Sequence, residues 1–328
     1  MMWLQIIGGL IVLVLGGDFL VRGSVSVAKQ FNVPPLIIGL TIVAMGTSAP
    51  ELIVALKAAL SGSPGIALGS VVGSNIANIL LVLGLPALIF PAVCDIQDMR
   101  KTTAIMLTVT GGFITLCFFG PLVHWQGLMM LVGLAAVLGW TAWIGLRNPE
   151  ATPMLVEEAL EDIEGIPVLP HGLLTSTAMI VVGCAGLVVG ANFLVEGAVE
   201  AAEYLGVSRS AIGLSIVALG TSLPELATAI AAAFRRHCDV AIGNVVGSNI
   251  FNLLGVMGVT ATAVPVPVPQ EFLQLDLWVL AGVSLLLALF IFRHATMGWR
   301  TGLLFLTLYS VYIAVVLGDH PEAMATQF

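Results

Sequence analysis

Two glutamates stand out because each lies deep in an apolar run. Glu51 sits within GLTIVAMGTSAPELIV (39–54) and Glu225 within GLSIVALGTSLPELAT (213–228). A carboxylate inside a membrane span is costly and reads by default as functional. Each acid has a polar retinue: Thr47, Ser48, Ser74, Asn75 and Asn78 for the first, and Thr221, Ser222, Ser248, Asn249 and Asn252 for the second. The pairs Thr47/Glu51, Ser74/Asn78, Thr221/Glu225 and Ser248/Asn252 are each four residues apart, which puts each pair on one helix face. Pro50 and Pro224 precede the acids. A proline removes one N–H and crowds the carbonyl four residues back, here Gly46 and Gly220, so both helices should break or kink there. Carbonyls freed at that depth are tolerated only where they line a cavity or meet an ion. The set offers oxygen alone: carboxylates, hydroxyls, amides and carbonyls. Such a site suits hard cations such as Ca²⁺ or Na⁺ and not soft metals. Two facing carboxylates repel in a low dielectric. One Ca²⁺ neutralises both, and so do two Na⁺, which is a physical basis for exchange at one site.

The two acids belong to a repeat. The blocks at 39–54 and 213–228 are identical at eleven of sixteen positions. GSVVGSNIANIL (69–80) and GNVVGSNIFNLL (243–254) are identical at nine of twelve. Both pairs share an offset of 174 residues. The glycines at 69, 73, 243 and 247 are expected to let the third and eighth spans approach closely.

Composition names the solvent. Of the 328 residues, 59% are hydrophobic and 9% charged, with a mean hydropathy of +1.08. A soluble domain carries roughly a quarter charged residues, so a soluble enzyme and a disordered chain are excluded. The net charge of −8 argues against nucleic acid, whose phosphates need clustered Lys and Arg. A bilayer core needs ~20 apolar residues per helix, and ten stretches qualify: 3–29, 34–60, 64–90, 102–119, 125–146, 172–200, 209–234, 239–264, 275–292 and 300–317. The fold class is therefore an all-α polytopic membrane protein. Its units are a first repeat at 1–146, an acidic cytoplasmic linker at 147–170 and a second repeat at 171–328. Five spans per half is an odd number, so the second copy is inverted relative to the first. Inverted repeats are a common construction of secondary transporters.

Lys and Arg orient the chain. With both termini outside, the inner side receives Arg22, Lys29, Arg100, Lys101, Arg147, Arg235, Arg236, Arg293 and Arg300. The outer side receives only Lys57 and Arg209. The first residues lack a basic n-region and read as a retained span. Cys94, Cys117, Cys184 and Cys238 are scattered and form neither a disulfide framework nor a zinc site. Asp18 is expected to pair with Arg22 one turn on, and Glu196, Glu200 and Glu203 to form a solvated face. EEALEDIEG (157–165) lacks the DxDxDG spacing of a calcium loop and reads as a solvated linker. Asn75 and Asn249 are expected to join helices by hydrogen bonds.

GTSAPE with GSVVGSNIANIL, repeated as GTSLPE with GNVVGSNIFNLL, resembles the two alpha-repeats of the calcium/cation antiporter superfamily, above all its prokaryotic sodium/calcium exchanger branch. The resemblance spans essentially the whole chain. It implies ten helices in two inverted halves and cation sites between helices 2, 3, 7 and 8. The family's coordinating positions fall here on Ala44 (through its carbonyl), Thr47, Ser48, Glu51, Ser74 and Asn78. In the second half they fall on Ala218 (carbonyl), Thr221, Ser222, Glu225, Ser248 and Asn252. In such proteins helices 1 and 6 slide across the rest to alternate access. Some members carry an acid where this chain has Asn252, and in one branch that acid goes with potassium co-transport. Asn in both halves argues against K⁺ dependence and leaves two carboxylates. The proton-coupled branch carries a GNxxE-like motif in place of GTSxPE.

The expectation is a secondary transporter exchanging Ca²⁺ for Na⁺ in a plasma membrane, by analogy a prokaryotic inner membrane. It would need no resident cofactor, because the ions are cargo, and a monomer would suffice. The alternatives are an H⁺-coupled or K⁺-dependent cation antiporter, a passive channel, or an intramembrane enzyme. For an enzyme the chain lacks HExxH and a matched pair of intramembrane Asp residues. A purely structural duplicated motif would account for the hydroxyls and amides, but poorly for two buried glutamates.

Overall fold

The computed structural model describes residues 1–30, 48–89, 99–147, 172–234, 238–293 and 297–318. The 147–170 linker, apart from Arg147, lies outside the described residues, as do Ala44, Thr47 and most of the first half of the second span. The described chain is almost wholly helical. The helices are α1 (Met2–Gln30), α2 (Ala49–Leu60), α3 (Pro64–Ile89), α4 (Met99–Phe118), α5 (His124–Arg147) and α6 (Leu173–Leu205). They continue with α7, made of two segments (Arg209–Thr221 and Leu223–Ile230), then α8 (Ala241–Ala263), α9 (Phe272–Phe292) and α10 (Trp299–Gly318). Seven of these are long and apolar enough to cross a membrane, and eight with the bent α7 counted as one span. The other two expected spans correspond to α5, 24 residues and so about 36 Å long, and to α2 with the undescribed residues before it. Helix ends fall within a few residues of the expected limits. The largest excess is α6, which runs on to Leu205 and stops at Gly206, whose φ of 66° only glycine adopts readily.

α3 and α8 form the centre. Inside the protein, 94% of the α3 span and 72% of the α8 span are buried, against 29% for α1 and 33% for α6. α1 and α6 lie against each other along their length. Their contact runs through glycines spaced seven apart, Gly9, Gly16 and Gly23 on α1 and Gly183, Gly190 and Gly197 on α6. A Cβ built on Gly9 would lie 2.8 Å from the Gly190 oxygen, and one on Gly16 would lie 3.0 Å from that of Gly183. One on Gly23 would lie 2.8 Å from the Ser176 oxygen. As the α1 number rises by seven, its partner falls by seven, so the two helices are antiparallel. They hold equivalent places in the two halves, and the halves are therefore inverted. Ser176 also donates to Ser26 at 2.7 Å, tying the same pair at one end.

The glycines at 69 and 73 do not serve the α3–α8 contact, contrary to expectation. They face α7. A Cβ on Gly69 would sit 2.6 Å from the Ser210 oxygen, and one on Gly73 would sit 2.6 Å from the Leu214 oxygen and 2.7 Å from the Ala218 Cβ. A Cβ on Gly243 would meet only the Met99 side chain, and one on Gly247 meets no described atom within 4 Å. Small residues in a span let whichever backbone is nearest approach, and spacing alone does not say which. α3 and α8 are joined by asparagines instead, as described below.

Other pairings follow the sequence reading. Arg22 Nε donates to Asp18 at 2.8 Å. Glu203 lies 3.5 Å from Arg209, and Glu200 lies 3.9 Å from the terminal amine, all at exposed positions. A backbone bridge, Leu122 with Val266, stitches the α4–α5 connection to the α8–α9 connection, with both N–H···O distances 2.8 Å. The Tyr312 hydroxyl of α10 donates to Asp276 of α9 at 2.9 Å, and Asp276 is buried. Removing a donor from a buried polar group costs about 1–3 kcal/mol. Tyr312→Phe is therefore expected to lower the thermal midpoint of the detergent-solubilised protein by several degrees, with transport retained, as a melting curve will show.

Candidate cation site

Proline sets the backbone at both acids. α2 starts at Ala49 with Pro50 in its first turn, where a missing N–H is harmless. Ser48 occupies the N-cap position but makes no side-chain cap bond. Its hydroxyl instead crosses to the other half and donates to Glu225 Oε1 at 3.3 Å. In α7 the two segments bend by 42° at Ser222, just before Leu223–Pro224–Glu225. The bend of α7 is where Pro224 requires it, and α2 begins at the matching position of the first half.

A second device was not legible in the motifs. α3 and α8 each contain a π turn, Asn78–Val82 and Asn252–Val256, offset by the same 174 residues. Two further π turns lie at Gly213–Val217 of α7 and Phe272–Asp276 of α9, so what sets the asparagine turns apart is their matched place in the two halves. Each begins on the asparagine that the sequence reading selected. Each also packs against the acid-bearing helix of the opposite half: the Asn252 turn against α2, and the Asn78 turn against the second segment of α7.

These elements bring α2, α3, α7 and α8 together around the acids. Glu51 and Glu225 are fully buried and close enough for their charges to interact. The Ser74 hydroxyl lies 3.3 Å from Thr221 Oγ1 and 3.4 Å from the Ala218 carbonyl. Thr221 itself donates within its helix, to Val217 at 3.1 Å or Ala218 at 3.3 Å. Asn78 Nδ2 donates to Asn249 Oδ1 at 3.1 Å, and Asn249 Nδ2 donates to the Asn75 carbonyl at 3.2 Å. Asn249 thus bridges α3 and α8, as expected. The Asn75 side chain does not: its Nδ2 turns back to Val71 of its own helix at 2.7 Å, and only its carbonyl serves the contact. Ser222, Ser248 and Asn252 are buried to the same degree as the acids. Ala44 and Thr47 lie outside the described residues.

The oxygens are notable for what does not reach them. Thr221 lies beside Glu51. Even so, neither Glu51 carboxylate oxygen completes a hydrogen bond among the described residues. Asn78 Oδ1, Ser222 Oγ, Ser248 Oγ and Asn252 Oδ1 are also buried without a partner there. An orphaned buried oxygen costs free energy, and so many in one place need an explanation. A cation is the ligand that several acceptors without donors would share.

Comparison with known proteins identifies the family. The sequence model of the family described as Sodium/calcium exchanger protein matches residues 1–143 and 175–318. The Sodium/calcium exchanger MaX1 of Methanosarcina acetivorans is 30% identical, covering 94% of this chain and 96% of its own. The inner membrane protein YrbG of Escherichia coli is 34% identical over 95% of each chain. The fold is similar to that of the sodium-calcium exchanger NCX_Mj in a structure soaked with 2.5 mM Na⁺ and 0.1 mM Ca²⁺, with a TM-score of 0.65 and 34% identity over 94% of this chain and 96% of that one. Ten helices in two inverted halves, built around a duplicated glutamate motif and matched along nearly their whole length, place the chain in the sodium/calcium exchanger family of membrane transporters.

Proposed function

We propose that this protein exchanges Ca²⁺ for Na⁺ across the membrane by alternating access around the two-glutamate site. The observation that carries the reading is the Glu51 carboxylate, fully buried and without a hydrogen bond among the described residues, on the helix whose first end, at Ser48, reaches a second buried acid, Glu225. Burying a charge is strongly unfavourable unless it is paired, so this geometry calls for a cation. Around it stand hydroxyl, amide and carbonyl oxygens of Ser48, Ser74, Asn78, Ala218, Thr221, Ser222, Ser248 and Asn252. Ala44 and Thr47 complete the set by the repeat. An all-oxygen site of this kind takes Ca²⁺ or Na⁺. Occupancy by one excludes the other, because both neutralise the same two carboxylates. Inverted halves then supply two mirror arrangements, each opening the site to one side.

The same reading puts both termini outside and the 147–170 linker in the cytoplasm, between a first repeat at 1–146 and a second at 171–328. It gives the protein no resident cofactor and allows a monomer to carry out transport. The names of MaX1 and NCX_Mj support Na⁺ and Ca²⁺ as the pair of ions. The test uses the purified chain in proteoliposomes loaded with Na⁺. Radiolabelled Ca²⁺ is expected to accumulate when external Na⁺ is removed, and to stop accumulating when the gradient is abolished. Uptake driven by a pH gradient and indifferent to Na⁺ would identify a proton-coupled exchanger instead. Ca²⁺ current without counter-transport would identify a channel.

A further inference from the structure

We propose that Asn75 and Asn249 form a two-position switch between α3 and α8, each asparagine closing one of the two access states. The inference rests on the alternating-access reading above and adds the contact that distinguishes the states.

Around the acids, three cross-half hydrogen bonds are made in one form while the symmetry-related form stays open, and the mates of the Ser74 contacts fall on Ala44 and Thr47, outside the described residues. Ser48 donates to Glu225, Ser74 meets Ala218 and Thr221, Asn78 donates to Asn249, and Asn249 donates to the Asn75 carbonyl. The 174-residue offset gives each bond a mate. The mate of Ser48→Glu225 is Ser222→Glu51, but Ser222 Oγ and both Glu51 oxygens are unpartnered among the described residues. The mate of Asn78→Asn249 is Asn252→Asn75, but Asn252 Nδ2 and Asn75 Oδ1 are both unpartnered. The mate of Asn249→Asn75 carbonyl is Asn75→Asn249 carbonyl, but Asn75 Nδ2 is turned to Val71. The asparagines concerned are at most 1% exposed.

A bound cation accounts for some of these orphans and not for others. It can be ligated by Glu51, Asn78 Oδ1 or Asn252 Oδ1. It cannot satisfy Asn252 Nδ2, which is a donor. That N–H and the Asn75 Oδ1 acceptor are left over together. They are the two ends of one hydrogen bond that the pseudo-symmetry supplies and this conformation leaves open.

Exchanging the conformations of two inverted halves is what converts one access state into the other. Under that exchange Asn252 donates to Asn75, Asn75 donates to the Asn249 carbonyl, and Asn249 turns its Nδ2 to Val245, the mate of Val71. Each state has the same number of bonds and the same number of orphans, moved from one half to the other. The interface is therefore bistable rather than locked, as an alternating carrier requires. An amide suits the role because it carries a donor and an acceptor at one end.

The consequence has a sign. Asn249→Ala removes two bonds from the conformation described here and only an intrahelical one from its mate. Asn75→Ala does the reverse. Each variant is reconstituted, and the apparent KM for Ca²⁺ is measured at both faces of the membrane in Na⁺-driven exchange. The ratio of the two values is expected to shift by about fivefold or more in one direction for Asn249→Ala and in the opposite direction for Asn75→Ala. The double variant is expected to return near the wild-type ratio. A merely structural pair would move both single variants the same way. Shifts of the same sign, or no shift in either, would overturn the switch. Should an alanine variant fail to fold, Asn249→Ser and Asn75→Ser carry the same opposite-sign expectation. Absence of Na⁺-driven flux in the wild type would sink the proposed function and the switch together, whereas intact flux with like-signed shifts sinks the switch alone.

Discussion

Glu51→Gln and Glu225→Gln are each expected to reduce Na⁺-driven Ca²⁺ uptake by at least about a hundredfold, the change that roughly 2.7 kcal/mol of lost cation binding produces. Glutamine keeps the size of the side chain and an acceptor oxygen, but it removes the charge and adds an N–H. At Glu51 the loss is purely one of ligand, since the carboxylate oxygens make no hydrogen bond among the described residues. At Glu225 the Ser48 hydroxyl can still donate to the amide oxygen, so the fold around it should be undisturbed. Protein yield and the melting curve are therefore expected to hold in both variants, and for Glu51→Gln to improve slightly, because a buried charge without a donor has been removed. Radiolabelled Ca²⁺ flux alongside a thermal melt checks both halves of the expectation. Wild-type flux in either variant would show that its acid does not ligate the transported ion.

The neighbouring glycines Gly8 and Gly9 should respond in opposite ways to the same substitution. A Cβ on Gly9 would lie 2.7 Å from the Leu194 nitrogen and 2.8 Å from the Gly190 oxygen, both backbone atoms that no side-chain movement can relieve. Overpacking of this kind costs about 1–3 kcal/mol. Gly9→Ala should therefore separate α1 from α6, lower the melting temperature and reduce exchange by tenfold or more, taking ~1.4 kcal/mol per decade. Gly8 is one residue away, and a Cβ there meets nothing within 4 Å. Gly8→Ala removes only the conformational freedom of glycine and should leave transport unchanged and stability equal or up by about 0.5–1 kcal/mol. The pair is measured in one experiment, with flux and melting temperature side by side. Equal behaviour of the two variants would mean that α1 and α6 are not in backbone contact along this face.

The seven-residue spacing of glycines on α1 and α6 also shows what a sequence reading can overlook. Both helices are rich in glycine, which by itself says only that a neighbouring backbone can come close. The register was present in the numbers 9, 16, 23 and 183, 190, 197, but its meaning depends on the partner helix. Spacing says that a groove exists, and only the packed structure says what lies in it. The glycines at 69 and 73 make the same point, since they admit α7 and not α8.

The sequence by itself determined the solvent, the ten spans, the duplication and the identity of the acids. These are properties of single helices: hydropathy over ~20 residues decides insertion, and an odd number of spans per repeat decides inversion. The bend of α7 before Glu225 was equally local, because the proline ring acts on its own helix. The tertiary structure decided everything that depends on which atoms meet across the halves. It showed that Ser48 is diverted from its own helix end to Glu225, and that α3 and α8 are joined by asparagine side chains. It also showed that, among the described residues, the hydrogen bonds around the acids are unequal between the halves although the repeated blocks are largely identical. Two similar sequences packed against each other can satisfy a shared set of donors on one side or the other, but not on both at once. That choice belongs to the conformation, and no property of the separate residues contains it.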